Sequence, residues 1–224
     1  MTKNEMIYTV LEKLKVHSDD SNFSEELISS LIDTKRAMLM KQQYSKNSWQ
    51  IPMEVKQTLC VDLELVDRVD GYCTAGKILM TDLALPIPIK IKGKEGPLLV
   101  RNKDMMEIPI NVISIERLPY LFNNKYTQHL IYCAKTDSGK LVLISKDDKH
   151  RFLKHIKVTD IFEDPEKARQ LQCDMDFALD DWEYEYPVEV PMIDTIIGLV
   201  VQDLAKSIQL PSDKINDAAD GAGS

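Results

Sequence analysis

With 224 residues, of which 44% are hydrophobic and 29% charged, the chain is long enough for one ordinary domain or two small ones and can bury a core without staples. Its 36 acidic side chains outnumber 28 basic ones for a formal charge of −8, which argues against a general binder of nucleic-acid backbone, whose affinity comes from counterion release by lysine and arginine. Residues 1–16 lack the apolar stretch of a secretory signal, and the longest apolar run, 196–201, falls far short of the roughly 20 residues of a bilayer span; a cytoplasmic start and no membrane segment are expected.

Met6, Ile7, Val10, Leu11 and Leu14 recur at helical spacing and predict a first amphipathic helix ending near His17. Asp20, Ser21 and Asn22 offer caps for a second helix, with Glu25 and Glu26 in its first turn and Leu27, Ile28, Leu31, Ile32, Met38 and Leu39 on its apolar face. Together they form an N-terminal helical hairpin over residues 1–50. From Thr58 the period falls to two, with Leu59, Val61, Leu63 and Leu65 alternating against Cys60, Asp62, Glu64 and Val66 as in a half-buried strand. Further strands are predicted at 77–81, 87–91, 111–116, 128–134, 141–145 and 152–158, with turn-rich pieces such as 135–139 between them.

The body over 51–189 is therefore expected to be mainly antiparallel β. Asp164 before Pro165 starts a short helix near 165–172, because aspartate accepts from free amides and proline has no amide to satisfy. A C-terminal helix over 190–210 carries Ile193, Ile197, Val200, Leu204 and Ile208 on one stripe, and residues 211–224 are too polar to fold alone, reading as a flexible tail or arm. The expected fold class is α+β.

Catalytic motifs are weak. Gly71, Gly76 and Lys77 have the spacing of a phosphate-cradling loop, but Ile78 stands where a magnesium-binding hydroxyl belongs, and Pro86 and Pro88 leave no room for the helix such a loop needs. A hairpin turn is the better reading, and a nucleotide hydrolase using Lys77 the weaker alternative. Ser138 and Ser145 lie near His150 and His155 without a nucleophile elbow, and the two histidines lack metal-ligand spacing. Asp180 with Asp181, or Glu183 with Glu185, reads as a solvated acidic face before it reads as an acid–base pair. No cofactor is expected. Cys60, Cys73, Cys133 and Cys173 contain no Cys-x-x-Cys pair and read as free thiols.

Charge is segregated instead. Residues 140–157 hold six cations against two carboxylates, whereas residues 160–189 hold eleven carboxylates against Lys167 and Arg169. Two wet faces of a monomer would satisfy this pattern; so would complementary surfaces meeting head to tail between copies, in which case Lys154 and Lys157 face Asp180 and Asp181. In the run DDWEYEYP, Trp182, Tyr184 and Tyr186 share one face if the chain is extended, and that face needs an apolar surface belonging either to the protein itself or to a neighbour.

The stretches LIDTKRAMLMKQ, TLCVDLELVD, GYCTAGKILMTDLALPIPI, VTDIFEDPEKA and DKINDA occur in an order that resembles the neck, or head-to-tail connector ring, proteins of tailed bacteriophages, particularly the crAss-like group. The resemblance covers about residues 24–217; residues 95–107 match no part of the pattern. It implies a non-enzymatic virion protein forming a twelvefold ring in the phage neck, with the portal and other neck or tail proteins as partners and DNA only passing through the lumen. It also implies a stage in the host cytoplasm before assembly. A cytoplasmic protein–protein adaptor module is the alternative from the charge pattern alone.

Overall fold

The computed structural model describes residues 1–15, 23–46, 51–66, 78–91, 99–103, 109–117, 120, 130–145, 148–173 and 184–209. Helical spacing produces helices where apolar stripes demanded them. Helix α1 (Lys3–Lys15) buries Met6, Ile7, Val10 and Leu14. Helix α2 (Glu25–Lys46) buries Ile28, Ile32, Arg36 and Met40, one residue per turn on a single stripe. Helix α4 (Val190–Gln209) buries Met192, Ile196, Ile197, Val200 and Leu204. All three stripes enter one core, to which Val188 and Tyr186 also contribute. The N-terminal pair of helices is thus completed by the C-terminal one, both packing on α4.

Between these ends the described residues form seven strands: β1 (Gln57–Val66), β2 (Ile78–Thr81), β3 (Leu99–Asn102), β4 (Pro109–Ile113), β5 (Tyr132–Lys135), β6 (Leu141–Ile144) and β7 (His155–Asp160). They close as a barrel in the order β1-β2-β6-β5-β4-β3-β7. Every pairing is antiparallel except β4 with β5, which is parallel, so the barrel is mixed and the protein α+β. The expected turn at 135–139 closes the β5–β6 hairpin. Gly139 there has φ 81°, left-handed backbone that glycine adopts at least cost.

Alternation sorts the barrel residues into faces. Leu59, Val61, Val100, Ile110, Cys133, Leu141, Leu143, Ile156 and Val158 fill the interior. The outward positions of β2, β6 and β5 make a second apolar cluster, Ile78, Met80, Val142, Ile144 and Ala134. Around the other side the outward positions of β1, β7 and β3 are polar: Asp62, His155, Lys157 and Arg101.

Several sequence expectations change. The predicted strand at 87–91 is reduced to a bridge between Pro88 and Phe162, flanked by Ile89 N–H to the Ile161 carbonyl at 2.8 Å and Glu163 N–H to the Ile87 carbonyl at 2.9 Å. Pro88 sits where its missing N–H would have pointed away from this pairing, which blunts the edge against further strand addition. Strand β3 lies inside 95–107 and was not predicted. Of the four expected free thiols, Cys73 lies outside the described residues and two are corrected, since Cys60 and Cys173 form a disulfide. They are 113 residues apart, and only the strand pairing described below brings them together. Cys133 is a free, buried thiol, pushed up to about 12 by burial.

The short helix appears as α3 (Pro165–Arg169), and Asp164 caps it, accepting from the amides of Glu166 at 3.2 Å and Lys167 at 3.0 Å. Burial alone would raise the Asp164 carboxyl, but the Lys167 amide, the Lys167 ammonium and the Glu166 amide together hold it below its ordinary value. A lowered folded pKa contributes stability that is complete above the unfolded value and lost as pH falls through the folded one. Asp164→Ala should therefore cost about 0.5–2 kcal/mol at pH 7. Urea unfolding of both proteins should show that difference shrinking below about pH 4.

Candidate assembly surfaces

Helical layer and barrel are joined by a buried polar hub built on α2. Arg36, fully buried, donates from Nε to the Pro187 carbonyl and from Nη1 to the Phe162 carbonyl, both at 2.8 Å. Its guanidinium also lies 5.4 Å from the centre of the Tyr186 ring. One turn earlier Asp33 accepts from the Tyr186 hydroxyl at 2.5 Å and from Lys3 Nζ at 2.8 Å, and Lys3 reaches on to Glu166 of α3 at 2.7 Å. Burial works against the Lys3 ammonium, but its two carboxylate partners leave its pKa raised, so the pairing persists until pH rises through that value. Burial likewise pushes the Tyr186 phenol well above its usual range and keeps it a donor. This arrangement is structural: donors on α1, α2 and the strap entering α4 meet acceptors on four segments, Asp33 of α2, Glu166 of α3, Phe162 just past β7 and Pro187 of the strap, while Arg36 Nη2 is buried without a hydrogen-bond partner among the described residues.

Outside the hub, the β1–β7–β3 side of the barrel presents charge. Arg101 of β3 stands opposite Lys157 of β7 in register, and Lys157 in turn stands opposite Cys60 of β1. Two cations facing each other across a ladder are unfavourable unless anions lie near. At the strip's end His155 Nδ1 meets Asp62 Oδ1 at 2.5 Å, so His155 pairs with a carboxylate on the neighbouring strand. Lys103 and Lys154 are exposed beside it, and Phe152, 81% exposed, ends the preceding short helix, Asp148–Phe152.

The acidic stretch begins beside this strip. β2 pairs only with the second half of β1, from Leu63 to Val66, leaving one edge of the first half for another partner. Residues 171–173 take that place: Cys60 N–H donates to the Leu171 carbonyl at 2.8 Å, Cys173 N–H to the Thr58 carbonyl at 3.3 Å, and Leu59 bridges Gln172. Along α3, Leu85, Pro86 and Ile87 border an open groove of about 510 Å³ against Glu163, Lys167 and Leu171.

The residues singled out from sequence divide accordingly. Lys154 and Lys157 flank His155 on the basic side of the barrel. Tyr186 turns into the protein's own core, and Tyr184 is held by Gln57 Nε2 at 3.1 Å and by Gln172 Nε2 at 3.4 Å, with Arg169 4.6 Å from its ring centre. Those two aromatics therefore use an internal surface. Asp180, Asp181, Trp182 and Lys77 lie outside the described residues. The residues following Lys77 form β2, antiparallel to β1, instead of the helix a phosphate loop requires. Among the described residues no group of three or more metal-ligating side chains converges, and no helix is long and apolar enough to cross a membrane.

Sequence reasoning missed Arg36, Arg101 and the Cys60–Cys173 pair. Arg36 carried a signal, a charge at the i+4 step of the stripe through Ile28, Ile32 and Met40. The other two carried none, because each depends on pairing between distant segments.

Comparison with known proteins agrees with an assembly role. Residues 5–221 match the family described as phage tail ring protein 2. The chain is 32% identical over 225 aligned positions to a protein named Ring protein 2 from Bacteroides phage crAss001, covering 98% of this chain and 97% of that one.

Proposed function

Because the chain belongs to the phage tail ring protein 2 family and is a structural ring protein of a crAss-like phage, we propose that its ring sits in the neck between portal and tail and leaves a channel for the genome. The observation carrying this reading is the family match over nearly the whole chain. Twelve copies would match a portal of the same symmetry, with the portal and the other neck or tail proteins as neighbours. The subunit would wait in the host cytoplasm before joining the virion. DNA would pass through without being held, which suits a chain of formal charge −8, since a basic lumen would retain the genome through its phosphates. No catalytic step is assigned to it.

A ring built head to tail needs two different, complementary surfaces on each subunit. The basic side of the barrel, with Lys154 and Lys157, supplies one. The acidic stretch with Asp180, Asp181 and Trp182 supplies the other from the adjacent copy. Residues 1–50, the β body to residue 189, the helix to residue 210 and a terminal arm over 211–224 would then act as one subunit with an arm for its neighbours.

Reversing both charges, Lys154→Glu with Lys157→Glu, should weaken self-association about tenfold at low ionic strength, and less at high salt, where exposed charges are screened. Sedimentation of the full chain across a salt series would measure this. Unchanged assembly at every salt concentration would remove these two lysines from the contact.

A further inference from the structure

We propose that Cys60 and Cys173 form a redox-set clasp: the chain is made with both as thiols, and closing the bond locks residues 171–173 onto the open half-edge of β1, fixing where the acidic stretch leaves the barrel.

The placement carries the inference. Two main-chain hydrogen bonds and one bridge already align residues 171–173 with 58–60, and the two Cα atoms are 4.9 Å apart, within the range that a disulfide spans. With the thiols reduced, that three-residue contact keeps those hydrogen bonds, the Gln172–Tyr184 bond and the packing of Leu171 on the barrel core, but no covalent tie, at a strand edge that β2 does not cover. Such an edge is a site for opening or for pairing with a foreign strand. Closing the bond ties the end of α3 to β1 across 113 residues of sequence. Both cysteines are half-buried, within reach of a small reagent. Cys133, by contrast, is wholly inside the barrel with its thiol held protonated by burial, so it is a poor competitor.

The chemistry balances with a low-molecular-weight disulfide as oxidant. One cysteine thiolate attacks a sulfur of that reagent, forming a mixed disulfide and expelling one small thiolate. The second cysteine then attacks the protein sulfur of the mixed disulfide and expels the other. The protein gives up two electrons and two protons, and two small thiols carry them away. The timing rests on the virion reading: a cytoplasm keeps thiols reduced, whereas a released particle meets oxidising surroundings. The bond itself does not depend on that reading.

The test uses the full-length chain, purified reduced and then equilibrated in glutathione buffers of increasing oxidised fraction. Thiol alkylation and peptide mass mapping should show Cys60 and Cys173 becoming protected together as one cross-linked peptide pair, with Cys133 still a thiol. The melting temperature should rise by roughly 5–15 °C on oxidation, and Cys60→Ser or Cys173→Ser should abolish that rise. Persistent alkylation of both, separate glutathione adducts, or a rise that survives Cys60→Ser would overturn the proposal. Should the serine variants fold poorly, the reduced and oxidised wild-type chains compared by mapping still decide it. Ring formation, followed in the same buffers by single-particle mass measurement, answers a separate question. Absence of rings in every buffer counts against the ring reading, while the thiol map still decides the clasp.

Discussion

Arg36→Ala is expected to remove about 2–5 kcal/mol of folding free energy, the cost of leaving two buried carbonyls unsatisfied at about 1–3 kcal/mol each. Arg36 is fully buried, and its loss leaves the Phe162 and Pro187 carbonyls without their donor and the Tyr186 ring without its cation. An orphaned buried carbonyl costs more than a hydrogen bond gains. Lysine cannot rescue the site, because one ammonium on a flexible stem does not reproduce a planar fork serving two carbonyls at once. Arg36→Lys should therefore recover less than half of the loss. Urea unfolding reads both variants through the midpoint at unchanged slope. A loss below about 1 kcal/mol for the alanine variant would mean that water replaces the guanidinium, and that the hub does not tie the layers together.

Phe162→Ala carries the second large effect, about 3–5 kcal/mol from lost burial and the cavity left behind. Phe162 is almost wholly buried in the barrel's interior cluster, alongside Ala168 of α3, immediately past the end of β7. Its main-chain carbonyl is the one that accepts from Arg36, so the two sites share a backbone segment. Combined in one chain, the substitutions should cost less than the sum of their separate effects, with a coupling of about 0.5–3 kcal/mol. Strict additivity in the same unfolding experiment would show that barrel end and helical hub respond independently.

Both predictions concern residues whose importance was only half visible in the sequence. The α1 stripe was legible because it is local: Met6, Ile7, Val10 and Leu14 are buried as their spacing requires, whereas Leu27 and Met38, expected on the apolar face of α2, are exposed. Strand β1 was legible through its alternation, and Leu59 and Val61 do point inward. The start of α3 was legible because its cap is made by adjacent residues. Pairing was another matter. The parallel contact of β4 with β5 leaves no local trace, and β3 is four residues long within a stretch that matched no pattern. The 87–91 segment looks like a strand by composition, yet it makes a single bridge, and Pro88 lacks the donor that a further strand on its other edge would need.

The charge on which the proposed assembly surfaces draw was legible to the same depth. Charge segregation showed in the sequence as opposite blocks, and the fold places Lys157 opposite Arg101 on one side of the barrel. That the acidic stretch begins at the same side, next to Cys60, depends on the 171–173 pairing that no spacing rule reveals. The aromatic trio was a less secure guide. Tyr184 and Tyr186 look like interface anchors by type, but a tyrosine also suits a buried site where its hydroxyl finds a partner, as Tyr186 does with Asp33.

Cryo-electron microscopy of the intact particle's neck tests the central claim most directly. The account predicts this chain as a closed ring between portal and tail, each copy contacting the next through its basic barrel side, around an open channel. Particles that lack the chain, or that carry it as isolated copies around no channel, would contradict it.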